Sequence, residues 1–388
     1  MFQAVLSNHL HPEYGVATVP FPIPRQEYDH IIELLRGLEL GDVLARDCRV
    51  DEIVGGWPIL KRLEKVAINV DELDYLAMRL DDFEPNEKAQ FQAAAVTHGI
   101  FDMTEFIDLT FCCRKTTVIQ DFTDLERIGR QHVLDMNGGV PRLEARDTDF
   151  TGEALTLLLQ EHGAITPYGV LYENGMELEH RYDGRHFPVC PRNDHVLEAQ
   201  LQTEEDPVWM FLPLSPMAFD RAVCRAGVGD PELVRPLVVQ GDIPDCLEDV
   251  LSPEAMTLKN QNRLATLRDG LSDEALPLLK AAIEFAKPRG IAQYEALVER
   301  LDLFSFAPGA ADAVGYGRCR VRDACGGELD ESLKACIDFG KYGGQLMEQE
   351  NGAFVSGGYI SYHGALSLPE LLEGASCERM ENIGMKFG

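Results

Sequence analysis

Two hydrophobic periods divide the chain. Alternation runs through Phe2–Leu6 and Ala17–Phe21 and predicts strands, with Pro20, Pro22 and Pro24 closing the second. Glu27–Leu38 changes to a helical step, with Tyr28, Ile31, Ile32, Leu35 and Leu38 as its apolar stripe and Gly41 as its end. Cys48–Val54 is a third strand. From Asn69 the step is helical again. Val70, Leu73, Leu76, Ala77, Leu80 and Phe83 share one face, and Asp71, Asp74, Asp81 and Asp82 fall on the opposite one. The pattern predicts a helical platform with a buried apolar side and an anionic outer side.

Pro85 suits the first position of the next helix, which Gly99 terminates. Thr116–Gln120 reads as a strand, Asp124–Leu134 as a helix and Met136–Gly139 as a loop. VLYENGMELE sets Asn174–Gly175 between two alternating runs, a strong hairpin signal. Arg181–Asn193 reads as a connector, with the main boundary near residue 195.

Blocks of the first half return in the second in the same order. PFPIPRQEYDHIIELL from Pro20 has a counterpart in PLSPMAFDRAV from Pro213. DELDYLAMRLDDF matches NQNRLATLRDGL, aligning Leu76–Ala77 with Leu264–Ala265. KAQFQAAA matches PLLKAAIEFA, and EFIDLTF matches YEALVERLDLFSF. Tyr168–Gly169 and Asn174–Gly175 find echoes at Tyr342–Gly343 and Asn351–Gly352. An internal repeat is expected.

Charge sharpens this picture. Asn69–Cys113 holds ten carboxylates, Asp71, Glu72, Asp74, Asp81, Asp82, Glu84, Glu87, Asp102, Glu105 and Asp108, against Arg79 and Lys88. Acids on a solvated helix face are ordinary, and some have local work. Asn69 with Glu72, Asp102 with Glu105 and Thr123 with Glu126 fit capping boxes. The shortage of cations is the unusual feature, because surface acids usually come mixed with Lys and Arg. The whole chain carries a formal net charge of −30, shared between both halves. In the second half Asp269, Asp273, Glu274, Glu284, Glu295, Glu299 and Asp302 are diluted by Lys280, Lys287 and Arg289. Such a surface repels a phosphate backbone and favours a basic partner. The 45% hydrophobic content is enough to build cores.

Motifs for other chemistry are missing. No apolar run has the length of a membrane span, and the N-terminus lacks the pattern of a secretory signal. The ten cysteines show no CxxC pair and read as reduced, buried thiols in a cytoplasmic protein. His9 and His11 lack a third ligand at motif spacing. No nucleophile elbow, zinc-protease motif or phosphate loop occurs, and the acids spread along helices instead of bunching as in a calcium loop. The reading is non-enzymatic, with no catalytic residue, metal or cofactor. Duplex DNA carries one charge per ~1.7 Å, so thirty charges at that density would cover about 50 Å. Rows of carboxylates could thus present a duplex-like potential to a DNA-binding protein.

VDELDYLAMRLDDFEPNEKAQFQAAA, then FIDLTF and VIQDFTDLERIGRQHV, resemble the ArdA antirestriction proteins of conjugative elements. FQAVLSNHLHPEYG fits that family's opening strand and turn. CIDFGKYGGQLMEQENGAFVSGGY resembles its closing segment: Asp338 and Tyr342 match, while Gly344 and Gln345 replace an Arg-Asp pair. Members are less than half this length, which agrees with a tandem duplication. The resemblance implies an α+β fold, an elongated string of small subdomains combining small antiparallel sheets with acidic helical pieces. Residues 1–68 would be a small α+β subdomain, 69–113 the acidic helical one, 114–194 an α+β subdomain with the Asn-Gly hairpin, and 195–388 a second, diverged copy. The implied activity is inhibition of Type I restriction–modification enzymes by occupying the DNA groove of their methyltransferase core. The ten carboxylates above, with Asp121, Asp124 and Glu126, would bind that partner. The protein would bind no nucleic acid or membrane directly, and would act as a homodimer or as a monomer whose two copies stand in for one. The alternative is an acidic adaptor for another basic protein of a mobile element.

Overall fold

The structure, a computed structural model, describes residues 1–137, 148–190, 195–203, 206–242, 244, 247, 251, 255–327, 330 and 336–373. The second half of the expected Met136–Gly139 loop and the end of the Arg181–Asn193 connector lie outside them, as do Cys246 and Cys377. The chain divides into two compact units, Met1–Arg192 with Ser215–Gly227, and Asn193–Leu214 with Val228–Gly388. Among the described residues each is a mixed α+β body with small antiparallel sheets and no closed barrel. No helix among the described residues is long and apolar enough to cross a membrane.

The first unit opens with strands β1 (Phe2–Asn8), β2 (Val16–Phe21), β3 (Cys48–Gly55) and β4 (Ala67–Ile68), in the order β2-β1-β3-β4. Alternation puts Phe2, Ala4 and Leu6 on the same inner face as Ala17, Val19 and Phe21. Helix α1 (Tyr28–Gly37) buries Ile31, Ile32 and Leu35 against them. Helices α2 (Val70–Asp81), α3 (Pro85–Thr97) and α4 (Met103–Cys112) follow, and one continuous core runs from Phe2 through these helices to Tyr182. The unit continues with β5 (Thr117–Ile119), α5 (Leu125–Met136), α6 (Phe150–Gln160), β6 (Ala164–Thr166) and β7 (Gly169–Tyr172).

The expected Asn174–Gly175 hairpin does not form. The pairing is between β6 and β7, and β5 takes the other edge of β7, giving the order β5-β7-β6. Both edges of β7 are therefore occupied. Asn174 and Gly175 do make a turn with positive φ, closed by the Met176 N–H on the Glu173 carbonyl at 2.8 Å. The run after it leaves as an extended strap over residues 176–190, without strand structure. Met176, Leu178, Tyr182 and Phe187 anchor this strap in the core. Helix α7 (Pro216–Ala226) also packs with the first unit, although it follows the boundary expected near residue 195.

The second unit has β8 (Leu197–Leu201), β9 (Val208–Leu212) and β10 (Val238–Gly241) in the order β10-β8-β9. It continues with α8 (Leu258–Asp269), α9 (Leu276–Ala286), α10 (Ile291–Glu299), β11 (Phe304–Pro308), α11 (Ala313–Cys325), α12 (Phe339–Gln349), β12 (Asn351–Val355) and β13 (Gly358–Tyr362). Its last sheet has the order β11-β13-β12.

The two C-terminal sheet modules agree in detail. Asp124 caps α5, and five residues on Gly129 lies against Phe150 of α6. Asp312 caps α11, and at the same distance Gly317 lies against Phe339 of α12. Asp149 and Asp338 cap the second helices, each accepting from the N–H three residues on. The hairpins share a register, Ala164 opposite Leu171 and Ala353 opposite Ile360. In that register Gly169 corresponds to Gly358. The echo expected at Tyr342–Gly343 and Asn351–Gly352 is therefore misplaced: the former lies inside α12 and the latter opens β12.

A methyl group at Gly129 would overlap the Phe150 carbonyl, and one at Gly317 the Phe339 carbonyl, whereas Gly344 on α12 has open space around it. Gly129→Ala and Gly317→Ala should each lower stability by about 1–3 kcal/mol through overpacking. Gly344→Ala should raise it by roughly 0.5–1 kcal/mol, because it removes only a helix-interior glycine. Urea unfolding midpoints of the three variants check this; equal effects at all three sites would refute the close helix approach.

Candidate functional site: the carboxylates of the helical platform

The sequence pattern places Asp71, Asp74, Asp81 and Asp82 on an anionic outer face. The structure buries Asp71, Glu72 and Asp74, and with them Asp108 of α4. Asp108 is 1% exposed and Glu72 3%. The strap and α7 lie over this side of the platform, and a covered acid needs partners. Asp71 faces Arg221 of α7, with Nη2 to Oδ2 at 2.8 Å and Nε to Oδ1 at 3.0 Å. Arg225, one turn on, approaches the same carboxylate at 3.5 Å, and the Tyr28 hydroxyl donates to it at 3.2 Å. Arg225 also donates to Asn69 Oδ1 at 2.6 Å and to the Val43 carbonyl at 2.8 Å. The α7 N-terminus is held by Asp29, which accepts from Ser215 Oγ at 2.5 Å and from the Met217 N–H at 3.2 Å.

Glu72 accepts from the Tyr182 hydroxyl at 3.0 Å and lies 3.6 Å from Arg46. Asp74 accepts the Ile23 N–H at 2.6 Å. Asp108 accepts the N–H groups of Arg181 and Tyr182 at 3.0 and 2.8 Å, which pins the strap to α4. Phe187 of the strap stacks on Tyr75, and the Arg225 guanidinium lies over its ring at 4.4 Å. Burial, then the negative charge of Asp71, raise the Tyr28 hydroxyl well above the ordinary tyrosine range. Burial and Glu72 do the same to Tyr182. Buried between Arg221, Arg225 and Tyr28, Asp71 acts as a structural anchor.

The other predicted site residues stay near solvent. Asp81, Asp82, Glu84, Asp102, Asp121, Asp124 and Glu126 are exposed, and Glu87 and Glu105 are half-buried. They gather at helix ends: Asp81, Asp82 and Glu84 at the α2–α3 junction, Asp102 before α4, and Asp121, Asp124 and Glu126 around the start of α5. Several serve as caps. Asn69 caps α2, but Glu72 turns to Tyr182 and does not complete a box. Asp102 accepts from the Thr104 N–H. Asp124, not Thr123, caps α5. Glu87 closes back on the Glu84 N–H at 2.9 Å.

Cations also meet this row. Arg46 pairs with Asp102 at 3.2 Å, Arg114 with Glu87 at 2.6 Å, Arg127 with Asp121 at 3.5 Å and Arg130 with Glu126 at 3.0 Å. Asp81 takes the N-terminal amine at 3.3 Å. Partial burial opposes ionisation of Asp102, but the Thr104 N–H and Arg46 outweigh it and hold its pKa below the usual range. The Thr123 N–H holds Asp121 low.

Sequence reasoning missed Arg221, Arg225, Tyr28 and Tyr182. The available signal was the pair of arginines one helical turn apart in RAVCR, on a helix whose Phe219, Val223 and Ala226 are also buried. Among the described residues no group of three or more His, Cys, Asp or Glu side chains is placed to hold a metal. Among the described residues the cysteines form no disulfide; Cys48, Cys112 and Cys113 are buried, and burial raises the pKa of all three thiols. Neither a comparison with protein-family models nor one with curated proteins finds a match to this chain.

Removing one member of a buried pair strands the other. Arg221→Met should cost about 3–5 kcal/mol, and adding Asp71→Leu should recover part of that loss. Removing the exposed Arg127 and Arg130 together should cost less than about 1–2 kcal/mol. Denaturant titration of the four proteins checks the ranking; a milder effect at Arg221 than at the exposed pair would contradict the buried network.

Asp135 of α5 titrates differently. Burial raises its pKa to about 6, against the bond its carboxylate accepts from Gln131. The folded state then holds this proton more tightly than the unfolded one, whose value lies near 3.8. Its contribution is fully present below about pH 4 and is lost as pH rises towards about 6. Asp135→Asn should remove that dependence and raise stability at pH 7.5 by up to about 3 kcal/mol. Melting temperatures from pH 4 to 8 test it: parallel curves for the two proteins would exclude a raised pKa.

Proposed function

We propose that this chain is an antirestriction protein of the ArdA type, a duplicated long form that occupies the DNA groove of a Type I restriction–modification enzyme. The observation that carries the reading is the set of carboxylates left exposed at helix ends from α2 to α5. Asp81, Asp82, Glu84, Asp102, Asp121, Asp124 and Glu126, with the half-buried Glu87 and Glu105, present carboxylates around these helix ends. Asp71, Glu72, Asp74 and Asp108 leave the proposed surface, because Asp71 is consumed in holding α7, Glu72 and Asp108 in holding the strap, and Asp74 in holding the Ile23 N–H. The partner would be the methyltransferase core, and the setting cytoplasmic.

The recurrence of elements supports the duplication. Three-stranded pairings with the first strand central, β2-β1-β3 and β9-β8-β10, open each half. Three helices follow in each, then a strand, two glycine-packed helices and a hairpin. Counted from the caps Asn69 and Thr257, Lys259, Asn260 and Asn262 stand where the first half has Asp71, Glu72 and Asp74. By the same alignment Asp102 and Asp108 give way to Gly290 and Ala296. The inhibitory charge would reside in the first copy.

A second reading is an acidic adaptor for another basic protein of a mobile element. Arg46, Arg114, Arg127 and Arg130 favour it, since each interrupts the anionic row with a local pair.

Competition separates the two. The purified protein should displace duplex DNA from a Type I methyltransferase core, less effectively as salt rises from 50 to 500 mM. Neutralising one exposed acid should change the inhibition constant less than about threefold, and neutralising all seven should weaken it by about 100-fold or more, because the interaction is spread over many sites. Competition that ignores salt, or survives loss of all seven charges, would defeat the electrostatic mechanism. Failure to displace DNA, with capture of a different basic protein of the element, would favour the adaptor.

A further inference from the structure

We propose that Asp135 is a proton-operated latch that fastens the α5–α6 helix pair to its sheet: the neutral acid holds the pair down, and the carboxylate lets it lift. The sheet β5-β7-β6 separates two cores. Val118 of β5 and Leu171 of β7 join the large core of the first unit. Their neighbours Ile119 and Tyr172 face the opposite way, onto Ile128 of α5 and Ala154 and Leu157 of α6. Only these five buried side chains, with the partly buried Leu125, Leu158 and Val170, form the second core among the described residues. Elements with so few buried apolar contacts open locally before the whole fold does. Gly129 lies against the Phe150 carbonyl, so the two helices are packed closely on each other.

The C-terminal end of α5 meets a polar seam. Asp135, Thr117 of β5 and Gln90 of α3 are all buried there. Gln131 Nε2 donates to Asp135 Oδ1 at 2.8 Å, but Oδ2 has no hydrogen-bond partner among the described residues. Asn86, Gln90 and Thr117 lie beside the carboxyl. Gln90 Nε2 is engaged by the Thr116 carbonyl. Thr117 Oγ1 accepts from Asn174 Nδ2 at 2.8 Å and lies 3.2 Å from His132 Nδ1. Ionised, Asp135 is a buried charge with an orphaned acceptor, which is costly. Protonated, that oxygen becomes a donor, and the side-chain oxygens of Asn86, Gln90 and Thr117 are acceptors for it.

The charged groups on the surrounding elements leave Asp135 uncompensated. Glu87 of α3 pairs with Arg114, and Lys88 lies over the Trp57 ring. Glu173 after β7 pairs with His98. On α5 itself Arg127 pairs with Asp121 and Arg130 with Glu126. The exposed Lys115 before β5 makes no ion pair with Asp135. His132 shares the seam; burial lowers its pKa, against Glu153 and Glu161 of α6 and its end, so it adds no fixed positive charge. Burial therefore dominates, and against Gln131, Thr117, Gln90 and Asn86 it raises the Asp135 pKa to about 6. The closed pair binds the proton more tightly than the open one. Its gain is fully present below about pH 4 and is lost as pH rises through about 6. Asp124 and Glu126 start α5, so the latch sets how firmly that end of the acidic row is held. The inference does not depend on the antirestriction reading.

Hydrogen exchange of the full chain at pH 5 and pH 7.5, corrected for intrinsic rates, tests the latch. At pH 7.5 the amides of α5 and α6 should exchange faster than those of β1 and α2. Their protection should rise about tenfold at pH 5, the ratio required by a carboxyl near 6 when closed and near 3.8 when open. Asp135→Asn should show the pH 5 level of protection at both values, and His132→Gln should keep the change. Protection of α5 and α6 equal to that of β1 and α2 would mean that the pair lifts only when the whole unit unfolds, and would overturn the proposal. So would protection that ignores pH in the wild-type chain, or a pH response that His132→Gln abolishes, since the titrating group would then be His132.

Discussion

The ion pair between Asp71 and Arg221 is the constraint on which the first unit turns. Burying a carboxylate is costly unless a compensating cation and enough hydrogen-bond donors come with it. Asp71 finds two arginines and a tyrosine hydroxyl. Those arginines come from a helix 150 residues along the chain. The requirement therefore decides which unit α7 joins. A buried pair of this kind adds little net stability over apolar side chains of the same shape, but it is intolerant of misplacement. Its consequence here is position: α7 sits where Arg221 and Arg225 can reach Asp71, Asn69, and the carbonyls of Gly41 and Val43.

Asp74 shows that a buried acid can have a role that needs no charge. Its carboxylate accepts the Ile23 N–H, just after Pro22; Asn262 accepts the Leu214 N–H, just after Pro213, at 2.8 Å. On the reading of the chain as two copies, this contact persists through an Asp-to-Asn difference because an amide oxygen accepts equally well. On the same reading Lys259 stands in the place of Asp71, and a lysine there could not pair with two arginines. A contact to backbone tolerates a change of acceptor more easily than a pair whose partner side chain must change in step.

The apolar pattern made most of the elements legible. The stripe of α1, the cap of α2 at Asn69 and the Pro85 start of α3 were all readable, because each depends on residues within a turn or two. Two features were not. Asn174–Gly175 does turn the chain, yet no hairpin follows, since β7 is already paired on both edges; local turn chemistry does not record which strand edges are free. The acidic face of α2 read as solvated because its cover comes from distant segments, the strap around Tyr182 and the helix carrying Arg221. Helical periodicity identifies the face that packs first and is silent about a second layer.

The charge left near solvent is unevenly available. Asp102 and Asp124 spend part of their field on helix N-termini, where the dipole and N–H groups hold them. Glu87, Asp121 and Glu126 face arginines at the surface, where such pairs are weak and exchange with competitors at little cost. Asp82, Glu84 and Glu105 make no ion pair among the described residues. On the proposed reading, a basic partner would meet these three first and could then draw the paired acids away from their own arginines. It could not reach Asp71 or Asp108 without lifting α7 or the strap. A surface graded in this way suits a groove with mobile arginine and lysine side chains better than one demanding a rigid phosphate-like spacing, because mobile side chains can adapt to anions held at helix ends.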